Sequence, residues 1–152
     1  MRKILTAALI AAPLLSAAAG AEQVGEVGVD WVGNDILIEA IEDPKVQGVT
    51  CHIAYFDRSF FDRITQGNWF EDPSNASIAC RQTGPIKIGD IDRGPGGEKV
   101  FSESRSLIFK SLKVTRIFDE ARQTLIYLTH ATELTEGSAK MSISTVPLYG
   151  SE

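Results

Sequence analysis

The chain has 152 residues, of which 43% are apolar, 23% charged and 8% aromatic, and its formal net charge is −5. This composition is typical of a globular protein and excludes collagen-like, intrinsically disordered and multi-span membrane proteins. The length suffices for one compact domain but not for two, and the acidic balance disfavours nucleic acid as a partner because a phosphate backbone would be repelled.

Residues 1–21 have the pattern of an export signal. Two basic residues precede a mostly apolar run over 4–15, and Ala19 and Ala21 flank one glycine in the A-x-A cleavage pattern. The apolar run is shorter than the roughly 20 residues that span a bilayer, so we expect cleavage after Ala21 or Ala19 and no stable membrane anchor. Residues 22–152 are therefore predicted to form a single domain in the bacterial periplasm.

Both cysteines, Cys51 and Cys80, lie in the predicted mature part. An even pair in an exported chain is most simply explained by a disulfide, which would close a loop of about 30 residues and stabilise the fold by roughly 3 to 4 kcal/mol. The alternative is a reactive thiolate. It is disfavoured because His52 follows Cys51 directly, and neighbours on an extended strand point to opposite faces.

The mature chain opens with a pattern that predicts a hairpin. Apolar residues alternate with smaller or polar ones over 27–31, a turn signal follows at 33–35, and residues 36–41 resume an apolar run. Asp43-Pro44 is then expected to break the chain.

The middle of the chain is less regular. Residues 49–56 predict another strand, and residues 57–72 lack a clean period and indicate a loop with a short helix. Residues 74–82 suit either a capped helical turn or a strand, and both readings stay open. Gly84-Pro85 is expected to end that segment in either case.

The strongest strand signals are residues 107–118 and 124–134, which predict a long antiparallel hairpin. With Glu120-Ala121 as the tip, the numbers of facing residues would sum to about 241. This register places one mainly apolar set on a single face, namely Leu112, Val114, Arg116, Phe118, Leu125 and Tyr127. The opposite face is also partly apolar, as in a sheet that is covered on both sides.

The last predicted strand covers residues 141–148, with Pro147 at its end or at a sheet edge, because proline donates no ladder hydrogen bond. The glycine-rich loop at 93–98 lacks the spacing of a phosphate-binding loop. Together these patterns predict a mainly β fold, with α+β as the alternative: a single domain built on antiparallel hairpins, with one or two short helices and one disulfide.

Few residues are candidates for chemistry. Two histidines, His52 and His130, cannot form a metal cluster with cysteines that are already bonded, so neither a metal nor a cofactor is expected. His130 lies on the same face of the strand as Ile126 and Leu128. This favours a histidine whose ring is hydrogen-bonded within the sheet over a general base. The motifs of serine hydrolases, G-x-S-x-G and S-x-x-K, do not occur in the sequence.

Two clusters of charged residues are predicted to lie on the solvent-exposed surface. Glu39, Glu42 and Asp43 favour a charged strand end over a catalytic carboxylate pair. A basic belt is expected to divide between two sheet faces and to form cross-strand ion pairs rather than an anion site. Its members are Arg105, Lys110, Lys113, Arg116 and Arg122.

Half of the twelve aromatic residues fall in one stretch inside the predicted disulfide loop: Tyr55, Phe56, Phe60, Phe61, Trp69 and Phe70. A satellite core beneath a long loop is the favoured interpretation. The alternative is a binding surface for a periplasmic protein or a small apolar ligand, formed by Tyr55, Phe60, Phe61, Trp69 and Phe70.

Several segments carry a resemblance to a known family. Besides the leader, they are VTC at 49–51, ACRQTGPI at 79–86, RSLIFKSL at 105–112, EGS at 136–138 and ISTVP at 143–147. In these segments the chain resembles the CreA family. The resemblance implies a small periplasmic protein of one domain, whose two cysteines match the family's pair, and a family without an established biochemical activity.

One departure from the family pattern concerns the aromatic stretch around Phe60 and Trp69. It stands where relatives are expected to be richer in glycine and lysine, so a function placed there would not be shared across the family. The sequence favours a non-enzymatic binding or accessory module. The alternatives are a hydrolase that uses carboxylates or His130, and an envelope-stress or structural role without a discrete ligand.

Overall fold

The structure is a computed structural model of the chain, and it describes residues 20–29, 31, 35–57, 76–101, 108, 112–131 and 141–149. Strands dominate these residues, and the prediction of a mainly β protein is confirmed. They are arranged in two four-stranded sheets, here called sheet A and sheet B.

In both sheets, neighbouring strands are antiparallel and follow one another in the sequence. Sheet A has the order β1 (Glu22–Gly28), β2 (Asp35–Glu42), β3 (Val46–Asp57) and β4 (Ser77–Ile88). Sheet B has the order β5 (Glu98–Lys99), β6 (Leu112–Asp119), β7 (Thr124–Ala131) and β8 (Met141–Pro147). In such meanders each strand pairs with a strand that precedes or follows it in the sequence, and a strand with one buried face alternates apolar with polar residues.

The predicted first hairpin is confirmed by β1 and β2, which pair from Glu22 opposite Ala40 to Gly28 opposite Asp35. The chain break at Asp43-Pro44 separates β2 from β3, as expected. The strand predicted over 49–56 is also found, as part of β3. The loop and short helix predicted over 57–72 fall almost entirely outside the described residues.

β4 resolves the choice that the sequence left open, because residues 77–88 form a strand. The expectation that Gly84-Pro85 ends this segment is wrong, since β4 continues to Ile88. The β3–β4 register shifts at Gly48, whose φ is +79°, and a Cβ there would collide with the carbonyl oxygens of Gly84 and Pro85. At this shift, residues 83–86 of β4 lie opposite the single residue Gly48 of β3, so β4 bulges at Gly84-Pro85 without leaving the sheet, and the glycine in the left-handed region gives the bulge room.

The hairpin of β6 and β7 is confirmed within the described residues, and its register differs from the predicted one by two residues. Facing residue numbers sum to 243, from Leu112 opposite Ala131 to Asp119 opposite Thr124. The reason is a four-residue turn at 120–123. A shift of two preserves the faces, so the predicted grouping around Arg116 is confirmed, whereas the opposite face is half-buried.

The core lies between the two sheets. Its fully buried side chains include Ile41, Val46, Val49 and Ile53 from sheet A and Val114, Leu125, Tyr127 and Val146 from sheet B. The sheets meet along β4 and β8, where the backbone N–H of Cys80 donates to Ser144 Oγ at 2.8 Å and that of Ile78 donates to Ser142 Oγ at 3.1 Å. β8 is an edge strand ending at Pro147, as predicted.

Within the described part of the chain, no helix has the length and apolar character needed to cross a lipid bilayer.

Candidate functional site

The two cysteines are directly opposite each other on β3 and β4 and form the predicted disulfide. Cys51 and Cys80 are both fully buried. His52, the next residue, is exposed, in agreement with the argument that strand neighbours face opposite sides. The bond therefore belongs to the core and joins the two strands that flank the aromatic segment.

A buried ion pair with a phenol connects the two sheets. Arg116 Nη1 on β6 donates to Asp43 Oδ1 and Oδ2 at 2.6 Å, and the Tyr127 hydroxyl on β7 donates to Asp43 Oδ2 at 2.7 Å. The Arg116 and Asp43 side chains are 1% and 0% exposed, and Tyr127 is fully buried. These three residues form the core of what we call the Asp43 network.

The turn between β2 and β3 fixes the position of the Asp43 carboxylate. Asp43 follows β2 directly, and Pro44 starts the turn to β3. Its Oδ1 accepts the backbone N–H of Lys45 at 2.9 Å and of Val46 at 3.2 Å, an arrangement in which an aspartate caps its own turn. The expected charged strand end is therefore correct for Glu42, which is exposed, but wrong for Asp43.

Glu98 and Lys45 extend the Asp43 network toward solvent. Arg116 Nη2 donates to Glu98 Oε1, and Lys45 Nζ lies 3.0 Å from the same oxygen. Gly97, with a φ of +61°, lets β5 approach β6 so closely that a Cβ at that position would collide with the carbonyl oxygen of Arg116. Glu98 thereby pairs directly opposite Arg116.

The network shifts two pKa values. Burial by itself raises the pKa of Glu98, but the Lys45 hydrogen bond, the Asp92 N–H and the charge of Arg116 outweigh burial and hold that pKa below its usual 4.5. Burial, followed by the charge and hydrogen bond of Asp43, raises the pKa of Tyr127 far above its usual 10.0. At neutral pH, Glu98 is therefore ionised and Tyr127 is a permanent hydrogen-bond donor.

The Asp43 network is too enclosed to serve as a substrate site, and it is best understood as the connection that sets the sheets against each other. Arg116 Nε is buried and has no hydrogen-bond partner among the described residues, so even this well-paired guanidinium is not fully satisfied. Sequence reasoning missed the network. The available signal was Arg116 on an apolar face, since a buried cation requires a buried anion.

Sheet A has an apolar outer surface, opposite to the face that carries the disulfide. Val27, Ile36 and Phe56 are paired in one row across β1, β2 and β3, and Ile38 and Ala54 are paired in the next. Val27 and Phe56 are 52% and 41% exposed. Beyond β1, Val29 is 53% and Trp31 97% exposed.

The predicted binding surface is only partly within the described residues. Tyr55 is half-buried, and its hydroxyl donates to Glu39 Oε1 at 2.8 Å, which places this aromatic residue toward the inner face of sheet A. The other four predicted surface residues, Phe60, Phe61, Trp69 and Phe70, lie outside the described residues, as does the cleavage residue Ala19. Ala21 is described, and it packs against the core.

The remaining candidates are dispersed. His130 Nδ1 is 2.9 Å from the carbonyl oxygen of Ala131, as suits a histidine bonded within its sheet. In the basic belt, Arg116 is buried while Lys113 and Arg122 are exposed, and Arg105 and Lys110 fall outside the described residues. The described ranges bring no three His, Cys, Asp or Glu side chains together as a metal site.

These features define a class of protein: two antiparallel meanders joined by a buried ion-pair network, with a buried cross-strand disulfide inside the first meander. The family model of the CreA protein matches residues 24–151. The chain is 41% identical to Protein CreA of Escherichia coli strain K12, over 95% of this chain and 93% of the relative. The identity and coverage are the same for Protein CreA of Escherichia coli O157:H7. The chain belongs to the CreA family, as its sequence segments indicated, and no solved structure matches it.

Proposed function

We propose that this CreA-family protein is exported to the periplasm and acts there as a non-enzymatic binding or accessory module. The observation that carries the binding function is the apolar outer surface of sheet A. An antiparallel sheet that faces water on one side normally alternates buried apolar with exposed polar residues. Here the outer face instead carries exposed Val27 and Phe56 on either side of half-buried Ile36, and such a run of accessible apolar side chains is typical of an interaction surface.

Export is supported by the disulfide. Cys51 and Cys80 are bonded, and such bonds persist in oxidising compartments and are rare in the cytosol. The leader pattern over residues 1–21 agrees with this location. Intact-mass spectrometry of natively purified protein, with alkylation of free thiols, tests the proposal. We expect a chain that starts after Ala19 or Ala21 and takes up no alkylating reagent. A full-length chain with two alkylated thiols would contradict export.

The binding function is tested by affinity capture from periplasmic extract, quantified by mass spectrometry. The test variant is Val27→Ser with Phe56→Ser, and the matched control is Ile143→Ser, since Ile143 on β8 is 63% exposed but belongs to sheet B. We expect wild type and control to recover the same partner and the test variant to lose it. Equal recovery by all three proteins would remove the outer surface of sheet A as the site.

A Trp69→Ala variant in the same experiment separates this surface from the aromatic segment. Loss of the partner only with Trp69→Ala would assign binding to the aromatic segment instead. If wild type recovers no partner above background, the binding function is wrong.

A further inference from the structure

Among the strands that the structure describes, none lies on the outer side of β1. β1 is the first strand in the order β1-β2-β3-β4, and only β2 pairs with it in the described part of the chain. The other edge of sheet A is different, because Ser142 and Ser144 of β8 accept hydrogen bonds from the backbone of β4. An uncovered edge strand is a template to which another extended segment can be added.

The pattern of hydrogen bonds in sheet A identifies which backbone groups of β1 are directed outward. The N–H of Cys80 donates to Ser144, on the side away from β3, so the Cys51–Cys80 pair is not one of the hydrogen-bonded pairs of the ladder. Hydrogen-bonded and non-hydrogen-bonded pairs alternate along antiparallel strands. Counting this alternation across β2 leaves the N–H and C=O groups of Glu26 and Gly28 directed away from the sheet.

The surface around β1 has a uniform charge. Between Glu22 and Pro44 the sequence contains no lysine or arginine. The carboxylates of Glu22, Glu26 and Asp35 take part in none of the ion pairs formed among the described residues. Glu22 and Glu26 are exposed and Asp35 is half-buried, and accessible carboxylates that form no ion pair with the described residues favour a positively charged partner.

The side chains of β1 and its continuation add an apolar component. Val24, Val27, Val29 and Trp31 are each more than half exposed, and no residue of β1 is buried. A segment lying beside β1 would therefore contact valine side chains and an indole as well as carboxylates. In strand addition, backbone hydrogen bonds supply affinity, and contacts of alternate side chains with such apolar and charged groups supply specificity.

We propose that β1 accepts, by β-strand addition, an extended segment of a partner protein in which lysine or arginine alternates with β-branched apolar residues. This inference rests on the binding function proposed above and assigns it a site and a partner chemistry. The added segment would extend sheet A antiparallel or parallel to β1, with its cations on the face that carries Glu26 and Asp35 and its apolar side chains on the face that carries Val27.

The test uses the mature, disulfide-bonded protein and capped eight-residue peptides. The probe alternates lysine with valine, and a matched peptide alternates glutamate with valine. We expect the lysine peptide to shift the backbone amide resonances of residues 22–28, and to bind about tenfold or more tightly than the glutamate peptide. Its affinity should fall between roughly 50 and 300 mM sodium chloride.

Two changes test the backbone contact itself. Glu26→Pro and Glu26→Ala both remove the charge, but only proline removes the outward N–H, so the proline variant should bind about tenfold more weakly than the alanine variant. Because proline can also disturb β1, the second change is made in the peptide, where N-methylation of alternate amides should cause a similar loss on wild-type protein.

Equal affinity of the proline and alanine variants, or resonance shifts confined to residues outside β1, would overturn the inference. If this occurs while Val27→Ser with Phe56→Ser still loses the captured partner, strand addition is wrong and the proposed binding function stands. If every variant still captures the partner and still binds the peptide, both strand addition and the proposed binding function are wrong.

Discussion

Arg116 lies on β6 of sheet B and Asp43 in the turn after β2 of sheet A, 73 residues away in the chain, yet one nitrogen of Arg116 lies 2.6 Å from both carboxylate oxygens of Asp43. Their side chains are 1% and 0% exposed. A buried pair of charges offers little net stability compared with a well-packed apolar pair, but breaking it is costly. The pair therefore penalises any arrangement of the two sheets that separates its members.

Replacement of Arg116 by methionine tests this role. We expect Arg116→Met to lower the free energy of unfolding by about 3 to 5 kcal/mol, because the Asp43 charge stays buried without its partner. Urea denaturation measures the loss. The control is Arg122→Met, whose exposed pair with Asp119 should contribute less than about 1 kcal/mol. Adding Asp43→Asn to Arg116→Met should restore part of the stability, and a further loss in this double variant would contradict the explanation.

The disulfide should stabilise the fold mainly by restricting the unfolded chain. The cysteines are separated by 29 residues, for which we expect the Cys51→Ala, Cys80→Ala double variant to lose about 3 to 4 kcal/mol. Guanidinium denaturation with and without dithiothreitol measures this loss. Reductant should destabilise wild type and leave the double variant unchanged. An equal response of the two proteins would show that the bond is not formed in solution.

The close approach of Gly48 to the bulge on β4 makes a prediction about backbone conformation. In Gly48→Ala the new alanine has to adopt a left-handed φ, and its Cβ would collide with two carbonyl oxygens. We expect this variant to lower the free energy of unfolding by about 2 kcal/mol or more. Thermal unfolding provides the measurement. Gly96→Ala is the matched control, because a Cβ at Gly96 meets nothing within 4 Å, and its effect should stay within about 0.5 kcal/mol. Similar melting temperatures for the two variants would refute the assigned bulge.

Glu98 should contribute to acid sensitivity. Its pKa in the folded protein is below the usual 4.5, so its contribution is present above that value and is lost as the pH falls through the folded pKa. We expect Glu98→Gln to flatten the decrease of stability below about pH 5. Urea midpoints between about pH 3 and 7 give the comparison, and parallel curves for wild type and variant would exclude this role.

Tyr127 should affect how the stability of the protein depends on pH at alkaline pH. Its folded pKa is raised above the usual 10.0, so its contribution is fully present below that pH and is lost as the pH rises and the unfolded phenol ionises. Tyr127→Phe should cost about 1 to 2 kcal/mol at neutral pH through the lost bond to Asp43. Its stability should then decline less steeply than that of wild type above about pH 10, as measured by urea unfolding.

Local pattern was sufficient for much of the fold. Alternation of apolar and polar residues predicted the β1–β2 and β6–β7 hairpins, and the faces around Arg116 were correct although the register was displaced by two residues, because the side-chain period of a strand is two. The CreA segments identified the family, and the cysteine pair indicated the disulfide. All of these are properties of neighbouring residues or of residue types.

The features of the fold that could not be predicted from the sequence are contacts between residues far apart in the chain. Gly84-Pro85 was predicted to end a strand because the residue that makes room for its bulge, Gly48, lies on the neighbouring strand. Asp43 read as a solvated strand end because its partners, Arg116 and Tyr127, are in the other sheet. Local periodicity carries information about which face a residue occupies, but the burial and pairing of a charge depend on the packing of two sheets, and only the tertiary structure decides that.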